Sequence, residues 1–509
     1  MGVMRCQNCP GKVWSRTGLK AIAPILILSM VGRSLPLNGQ MSWTTDLPTI
    51  GSFSSPRVTD LNADGIMDIV MGAGREEFNS CDSAVIALDG RDGHMLWHVR
   101  AKDQIFGSAI FLDINGDLVD DVVIGGRSAE LIAIDGKSGQ LLWRFMEVND
   151  SPVFLTHRWF NFYNPQWIPD QDQDGLSDLL LANGGDVLVE PYDPNRAPGY
   201  LVIVSARTGK LLKLAPMPDG KEIYMSPVLS NGPAGQEVVF GTGGETIGGS
   251  LYADSLVHVC TESLDRAVRL KSGKNSGFIG PVSCADLNQD GISDILVNAA
   301  EGRLIAIDGL TKKNIWELDI PNSTSYTSPC IGYFNADEVP DVFKTYGQGT
   351  WPKLDWSLQR MVDGNSGQVL FSDSLGYYQI ASPLAVDLNN DGIDEVIMSI
   401  NYQEVGTLFQ KYFYTTLMMI DFRSNQIQQI GESYQGSNFA STPWAGDLDG
   451  DGYLDIIFCH GTNLRHTYTF DGMQIHRIST HFPISQPPHW GSYQGTNYDG
   501  RLKGRQPGH

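Results

Sequence analysis

A short acidic turn recurs along the whole chain and constrains its fold more than any other feature. The turn reads Asp-x-Asn/Asp-x-Asp-Gly-x-x-Asp, and a short apolar run follows each copy. Four copies keep the full pattern, and their oxygen-bearing positions 1, 3, 5 and 9 are Asp60, Asn62, Asp64 and Asp68; Asp170, Asp172, Asp174 and Asp178; Asp286, Asn288, Asp290 and Asp294; and Asp447, Asp449, Asp451 and Asp455. Two copies carry one change each, Leu118 for the glycine or Glu395 for the last Asp, and their positions are Asp113, Asn115, Asp117 and Asp121; and Asp387, Asn389, Asp391 and Glu395.

This spacing predicts a binding loop for a hard cation. Oxygen atoms at alternate positions of a tight turn converge on one point, and we expect the carboxylate at position 9 to complete the ligand shell. Ca²⁺ accepts six to eight oxygens in a tolerant geometry, whereas Mg²⁺ requires a stricter octahedron. The glycine at position 6 is explained by a backbone with positive φ. Asp, Asn and Gly also favour turns without metal, but six copies at the same offsets favour calcium.

Two further copies have lost most of these residues. The turn around Asn335, Asp337 and Asp341 begins with Tyr333 and has Glu338 in place of glycine, so we expect a weak or empty site. The copy that follows Ser226-Pro227 has no acidic residue before Glu237. This last copy is expected to bind nothing.

The repeat predicts an all-β propeller. The turns begin about 47 to 60 residues apart, and periods of this size are typical of propellers and other repeat folds. Each unit contains short runs that read as four strands, and a Ser-Pro or Thr-Pro step often opens the first of them. Eight units favour eight blades, with seven as the alternative if the copy near residue 229 is an insertion. The segment 42–48 resembles an isolated outer strand that would complete the last blade.

A second motif, Ala-x-Asp-Gly-x-x-Gly-x-x-x-Trp, ends several units. It places Trp97 and Trp143 on outer strands behind a hairpin turn, while Trp316 and Phe371 follow degenerate copies. We expect these rings to pack between neighbouring blades rather than to take part in chemistry.

The two motifs together resemble known repeat families. The acidic turns are similar to FG-GAP and VCBS repeats, as in the integrin α-subunit propeller, and the Trp-bearing halves look like the docking motif of quinoprotein-like propellers. The resemblance covers roughly residues 42–480 and implies a calcium-binding β-propeller. It implies little about activity, because propellers serve many functions.

Charge and the chain ends suggest an exported protein. The formal net charge is −22, which argues against nucleic acid as a partner. A basic segment before apolar residues 21–31 predicts a signal peptide over residues 1–39, because a membrane span needs about 20 apolar residues. An uncleaved membrane anchor is the alternative for this segment. We expect a propeller over 40–480, a C-terminal tail over 481–509 that plugs the ring or contacts a partner, and no further transmembrane span. The expected product is a secreted, cell-surface or periplasmic monomer.

No catalytic motif is visible, and three aromatic-rich segments depart from the repeat. They are residues 154–167, 346–356 and 402–414, which either bind a ligand or pack over the ends of the ring. The favoured function is therefore a non-enzymatic adhesion or binding module for a glycan or protein. The first alternative is a polysaccharide lyase with cations facing calcium in a cleft, for which His157, Arg158 and Lys353 are candidates. A quinone-dependent dehydrogenase is the second, although the adjacent cysteines of that family's pocket are missing.

Overall fold

The strands of this protein form eight separate antiparallel sheets arranged as the blades of one propeller. The computed structural model describes residues 42–190, 192–350, 353–406 and 409–502. The expected signal peptide therefore lies outside the described residues. The prediction of eight blades is confirmed, because the degenerate copy near residue 229 forms a complete four-stranded sheet.

Each blade has an innermost strand and three further strands, and in most blades the innermost strand is the shortest. Blades are numbered one to eight by the order of their innermost strands. Blade one contains β2 (Arg57–Thr59), β3 (Asp68–Gly72), β4 (Cys81–Leu88) and β5 (Met95–Ala101), and blade two contains β6 (Ile110–Leu112), β7 (Asp121–Gly125), β8 (Leu131–Ile134) and β9 (Leu141–Arg144). Blade three contains β10 (Asn161–Phe162), β11 (Gln166–Ile168), β12 (Asp178–Gly184), β13 (Tyr200–Val204) and β14 (Leu211–Pro216). Blade four contains β15 (Val228–Gly232), β16 (Gly235–Gly241), β17 (Ser250–Ser255) and β18 (Val268–Ser272).

Blades three and six have an innermost strand that is split in two. Blade five contains β19 (Ser283–Ala285), β20 (Asp294–Ala299), β21 (Arg303–Ile307) and β22 (Asn314–Asp319). Blade six contains β23 (Ser323–Thr324), β24 (Cys330–Gly332), β25 (Asp341–Thr350), β26 (Lys353–Val362) and β27 (Val369–Asp373). Blade seven contains β28 (Leu384–Val386), β29 (Glu395–Val405), β30 (Lys411–Asp421) and β31 (Gln426–Gln435), and blade eight contains β32 (Trp444–Gly446), β33 (Tyr453–Gly461), β34 (Gly472–Pro483) and β1 (Trp43–Pro48).

Helices are few and short. The described residues contain α1 (Phe145–Val148), α2 (Pro152–Thr156) and α3 (Leu256–Val259). Within the ranges that the structure describes, no helix has the length and apolar character needed to cross a bilayer.

Hydrogen bonds just before the innermost strands link neighbouring blades. The N–H of Ser55 donates to Ser108 Oγ (3.1 Å), that of Ser108 to Asn164 Oδ1 (2.9 Å), and that of Asn164 to Ser226 Oγ (3.1 Å). Thr442 N–H donates to Ser55 Oγ (3.0 Å), which links blade eight to blade one. The proline after several of these residues has no N–H, so it leaves no unpaired donor in the crowded centre. This explains why the Ser-Pro step recurs.

Tryptophan side chains fasten the outer edges of the blades, as the sequence predicted. Each indole N–H donates to a backbone carbonyl in the turn of the next blade: Trp43 to Gly90 (3.0 Å), Trp97 to Gly136 (2.7 Å), Trp143 to Ala206 (2.7 Å) and Trp316 to Gly364 (2.7 Å). The second glycine of the turn makes room for the ring. Gly139, for example, has φ of 70°, and a Cβ there would lie 2.6 Å from the Trp97 side chain.

The two ends of the described chain close the ring. Strand β1 pairs antiparallel with β34, so that Trp43 faces Arg477 and Pro48 faces Gly472. The predicted role of residues 42–48 in the last blade is thus confirmed. Blade eight therefore consists of three strands from one end of the chain and one from the other.

The segment after β34 fills the channel between the blades. Trp490 is fully buried and bridges to Ala385 in β28, while Cys284 in β19 bonds to Gly500 and Leu502. The Tyr498 hydroxyl accepts from Val58 N–H in β2 (3.2 Å). Of the two roles that the sequence left open for the tail, plug or partner contact, the structure shows the plug.

Candidate functional site

The acidic turns and a large cavity lie at opposite ends of the strands. Each acidic turn follows the innermost strand of its blade, whereas most of the residues that line the cavity precede that strand or connect the second strand to the third. Successive strands are antiparallel, so these two sets of loops lie on different faces of the propeller. The protein thus offers two separate candidate sites.

In the acidic turns, the predicted ligand residues come together and organise their own backbone. In the first turn, Asp60 accepts from Asp64 N–H (3.2 Å) and Gly65 N–H (3.0 Å), and Asn62 Oδ1 accepts from Asp64 N–H (3.0 Å). Gly65 has φ of 85°, as predicted for position 6, and Leu118 adopts φ of 71° at the same position with its side chain exposed.

The carboxylate at position 9 is buried, and backbone N–H groups occupy its oxygens. Leu61 N–H donates to Asp68 Oδ2 (2.9 Å), and Gly90 N–H donates to Oδ1 (3.0 Å). Asp121, Asp178, Asp294 and Asp341 have equivalent backbone partners. Burial, partly offset by these hydrogen bonds, raises the pKa of Asp68 to about 6 and that of Glu395 to about 8. Position 9 therefore joins the acidic turn to the turn that receives the tryptophan, a role that the sequence analysis did not predict.

Carboxylates of the acidic turn converge in blade three. One oxygen each from Asp170, Asp172 and Asp178 lie within 4.8 Å of one another. Arg207 contacts this turn only at Asp174 (3.1 Å), from a side chain that is 46% exposed. This donor set fits Ca²⁺, which prefers several carboxylate and carbonyl oxygens.

The turn of blade eight has a similar set of aspartates but contains a cation of its own. Asp447, Asp449 and Asp455 also converge within 4.8 Å. Arg477, whose side chain is 1% exposed, bonds to Asp449 Oδ2 (2.5 Å) and Asp455 Oδ2 (2.9 Å). Its guanidinium lies between two of the residues that were predicted as metal ligands.

The two degenerate turns differ from each other. In blade six, Asn335 and Asp337 keep the backbone hydrogen bonds of an acidic turn, with Tyr333 at position 1. In blade four, β15 and β16 are joined directly through Gly232 and Gly235, which pair with each other. A two-residue hairpin turn replaces the whole acidic loop there.

The opposite face holds a cavity of about 1100 Å³ that residues from most blades line. Aromatic rings form much of its wall in two groups. Phe106 contacts Tyr163 (ring centroids 5.4 Å apart), and Tyr163 contacts Tyr224 (6.2 Å). Across the cavity, a second group comprises Phe53, Tyr378, Phe439, Tyr468 and Phe470. Tyr493 of the C-terminal plug also lines the cavity.

Charged residues lie between these aromatic groups. Arg196 Nε donates to Glu222 Oε2 (2.6 Å), and its Nη2 donates to the Tyr224 hydroxyl (2.9 Å). Arg127 pairs with Glu77 (2.6 Å) and lies over the Phe106 ring (5.6 Å). Glu76 and Glu245 also line the cavity, so carboxylates outnumber guanidinium groups there.

Most of the aromatic segments singled out in the sequence pack against the propeller. Phe154, Phe160 and Phe162 are buried, and Trp159 stacks on Phe154 at 5.1 Å. Trp356 is 43% exposed and stacks on Tyr377 at 4.6 Å. Of the three segments' described residues, only Asn161, Tyr163, Asn164 and Leu354 line the cavity.

The structure does not assemble the cationic cluster that a lyase was expected to have. His157 bonds to Val153 O (2.7 Å), and Arg158 pairs with Asp186 (3.2 Å). Neither residue lines the cavity, and Lys353, at the start of β26, is not among its lining residues either. The acidic turns lie on the other face. The five described cysteines are all free.

Sequence reasoning missed the charged residues of the cavity because their loops carry no repeat motif. Arg196 lies in the long connection between β12 and β13, and Glu245 lies between β16 and β17 in a glycine-rich stretch, residues 241–249. These residues could have been found only because their connections depart from the repeat. Each of the two connections differs from those of blades one and two in length or in composition.

Comparisons with known proteins agree with this architecture. Residues 43–391 match a family model described as the FAM234A/B beta-propeller. Protein FAM234B of Gallus gallus is 22% identical over 362 residues, which cover 64% of this chain and 53% of that protein. The match thus spans about half the length of this relative.

Among solved structures, the similarity concerns the fold alone. A quinohemoprotein alcohol dehydrogenase, ADHIIG from Pseudomonas putida HK5, has a TM-score of 0.53 at 12% identity, covering 88% of this chain and 77% of its own. A europium-containing methanol dehydrogenase has a TM-score of 0.52 at 11% identity, covering 85% and 92%.

The resemblance to FG-GAP and VCBS repeats, which rests on the acidic turns, stays a prediction. The family model covers more than half of the chain, from the closing strand β1 through the acidic turn of blade seven. The protein therefore belongs to the family of FAM234A/B β-propellers.

Proposed function

We propose that this protein is an exported, non-enzymatic binding module whose central cavity receives part of a glycan or protein ligand. The observation that carries the proposal is the cavity itself, about 1100 Å³ in volume and lined by aromatic rings with charged groups between them. Large concave sites with a few polar groups among apolar ones are typical of ligand binding. The blades around it form a rigid scaffold, and the loops on such a scaffold commonly carry function.

The side chains of the cavity support binding rather than catalysis. The Arg196 guanidinium is occupied by Glu222, Tyr224 and two backbone carbonyls, and Arg127 by Glu77 and Gln104. Among the described lining residues there is no histidine, cysteine or lysine. A general base paired with a nucleophile, which most hydrolytic sites need, is not formed by these residues.

We further propose that the acidic turns hold structural Ca²⁺ on the opposite face, with the turn of blade three as the principal site. Its donor oxygens converge, and several carboxylates held close together repel one another without a cation. Bound calcium would remove this repulsion and stabilise the folded state by mass action. The conditions outside the cell suit such sites, because millimolar calcium fills even weak ones.

A binding screen on the exported protein tests the cavity proposal. Glycan and peptide arrays would be probed with and without calcium, using the wild type, Ala440→Trp and Gln426→Trp. Ala440 lines the cavity, so tryptophan would fill part of it, whereas Gln426 is exposed on β31. Binding is expected to be lost only in Ala440→Trp. Binding that survives this substitution, or conversion of a bound glycan to shorter products, would contradict the proposal.

A further inference from the structure

One carboxylate in the cavity lies among tyrosine rings without a cation to balance it. Glu245 is in the connection between β16 and β17 and lines the cavity together with Tyr163, Tyr224, Tyr326 and Tyr378. Tyr224 and Tyr378 lie just before the innermost strands of blades four and seven, and Tyr163 and Tyr326 lie in the break of the split innermost strands of blades three and six. The propeller thus gathers them around one acidic side chain.

The other charged groups near Glu245 already have partners. Arg196 uses its Nε for Glu222 (2.6 Å) and its Nη atoms for Tyr224 (2.9 Å) and the carbonyls of Val189 and Glu190. Arg127 pairs with Glu77 (2.6 Å). Within the described residues, Glu245 forms no ion pair, and the hydrogen bond it accepts comes from its own backbone N–H.

The pKa of Glu245 is raised mainly by burial. The nearby charge of Glu222 adds to this, and that of Arg196 partly offsets it. Burial is also the main cause of the raised pKa of Tyr163, Tyr224, Tyr326 and Tyr378, and the negative charge of Glu245 contributes to each. The carboxylate and the four phenols line the same cavity.

The hydroxyl of Tyr326 adds an unused polar group at this place. It is buried and has no hydrogen-bond partner among the described residues. A buried polar atom without a partner is costly and is rare in folded proteins. Because this atom is closed to solvent, a ligand in the cavity would meet the ring of Tyr326 and not its hydroxyl.

A negative charge surrounded by aromatic faces favours one class of ligand. The faces of tyrosine rings attract cations, and aromatic cages recognise alkylammonium groups in this way. A hard metal ion is a poorer fit, because it needs six or more oxygen ligands and this set offers one unpaired carboxylate and neutral phenols. Anions are disfavoured, since carboxylates outnumber guanidinium groups in the cavity.

We propose that the cavity binds an organic cation, with an alkylammonium group held by the Glu245 carboxylate and the faces of Tyr163, Tyr224, Tyr326 and Tyr378. This inference rests on the proposed binding function and names the chemistry of the ligand. A primary amine could also donate a hydrogen bond to the Glu245 carboxylate, whereas a quaternary ammonium would interact with it through charge alone.

The test compares choline with 3,3-dimethylbutan-1-ol, which has the same shape without the charge. Isothermal titration calorimetry on the full chain at constant ionic strength would measure both, and n-butylammonium chloride would serve as the primary amine. We expect choline or butylammonium to bind on the order of tenfold or more tightly than the neutral alcohol, the discrimination that a desolvated cation–aromatic site provides.

Two variants show whether the preference for the cation over the alcohol depends on Glu245. Glu245→Gln keeps the shape and removes the charge, so the preference for the cation over the alcohol should disappear. Glu432→Gln is the matched control, because Glu432 is exposed on β31, and the preference should stay unchanged. The inference would be overturned if the wild type bound neither choline nor butylammonium more tightly than the alcohol, and also if a cation preference survived Glu245→Gln.

The outcome separates this inference from the proposed function. If the array screen finds a ligand that Ala440→Trp abolishes while the ammonium compounds bind no better than the alcohol, the cavity is a binding site and only its assignment to organic cations is wrong. If neither the arrays nor the ammonium compounds give binding that depends on the cavity, both proposals are wrong.

Discussion

Blades three and eight carry similar acidic turns, yet the two turns differ in what neutralises them. Both have aspartate at positions 1, 3, 5 and 9, and in both the carboxylates at positions 1, 3 and 9 converge. In blade three the guanidinium of Arg207, whose side chain is 46% exposed, bonds to Asp174 and not to the three convergent carboxylates. In blade eight, Arg477 lies inside and bonds to Asp449 and Asp455.

The difference shows that the same motif can be completed in two ways. A buried guanidinium and a divalent cation both relieve repulsion between carboxylates, but only the guanidinium is part of the chain. Blade eight is the blade that the two chain ends close. Because β34 supplies a neutralising group, we expect this closure to be independent of calcium, whereas blade three, which is continuous in sequence, is the one that we propose to depend on it.

Removal of the internal cation should give the largest effect. Arg477→Met leaves Asp449 and Asp455 without their partner in a buried position, which typically costs about 3–5 kcal/mol of unfolding free energy. Urea denaturation in excess chelator would measure this loss. Millimolar calcium should restore part of it, because the emptied turn then resembles that of blade three.

The control is Arg423→Met in blade seven. Arg423 is 61% exposed and bonds to Asp391 at 2.6 Å, and exposed pairs are worth about 1 kcal/mol or less. An equal loss in the two variants would show that Arg477 is no more important than a surface residue, which would remove the distinction between the two blades.

Calcium withdrawal should give the next largest effect. A site filled to one hundred times its dissociation constant contributes about 2.7 kcal/mol, so chelation of the wild type should lower the melting temperature. Asp172→Ala should reduce the difference between melting in calcium and in chelator. Asp449→Ala should destabilise the protein without reducing that difference, because Arg477 occupies its turn. Unchanged melting in excess chelator would contradict the calcium proposal.

Substitution at position 9 separates the role of that residue as an acceptor of backbone hydrogen bonds from its proposed role as a calcium ligand. In the wild type, the N–H groups of Gln171 and Ala206 donate to the Asp178 carboxylate at 2.6 and 3.3 Å. In Asp178→Asn, the side-chain NH₂ group would face one of these two donors, which would then lose its acceptor. Loss of such a buried acceptor costs about 1–3 kcal/mol. This loss should be measured by denaturation in chelator, where metal binding makes no contribution, and Asp172→Asn should show no comparable loss there. Equal behaviour of the two variants would mean that the backbone hydrogen bonds of Asp178 have no special weight.

Acidification should act on blade eight through a buried histidine pair. Thr44 Oγ1 donates to His476 Nδ1 (2.8 Å), the two Nε2 atoms are 3.0 Å apart, and His460 Nδ1 donates to Gly461 O (3.1 Å). With both rings neutral, His476 Nε2–H donates to His460 and every group is satisfied. Burial lowers the pKa of His460 to about 4 and, with the charge of its neighbour, that of His476 to about 3.

Because the unfolded chain takes up protons near pH 6.5 and the folded pair does not, stability is fully present above pH 6.5 and falls as the pH decreases to about 4. The loss should be on the order of 1 kcal/mol per histidine by pH 5.5. Denaturation at several pH values would measure it. It should be absent when His460 and His476 are both replaced by glutamine, and retained in His481→Gln, since His481 is exposed on the same strand. The same pH dependence in the double variant would show that other groups cause it.

The sequence predicted the architecture well because the information that specifies it is local and repeated. Eight copies of a turn and several Trp-bearing hairpins are each read within about fifteen residues, and they correctly indicated eight blades, docking tryptophans and a closing strand. The sites depend on residues that are distant in sequence. Arg477 is 28 residues from Asp449, and Glu245 lines one cavity together with tyrosines from four blades. No periodic pattern connects such residues, so the cation in blade eight and the composition of the cavity could not be predicted.

The closure of the ring has a consequence for the synthesis of this protein. Strand β1 is made first, yet its partner β34 begins more than 400 residues later, at Gly472. The channel is filled only when the chain reaches Trp490 and Gly500. Until then, a nascent chain presents an unpaired strand edge and an open axis, features that chaperones and proteases recognise. A chain that is truncated before β34 therefore keeps the edge of β1 unpaired and the channel open.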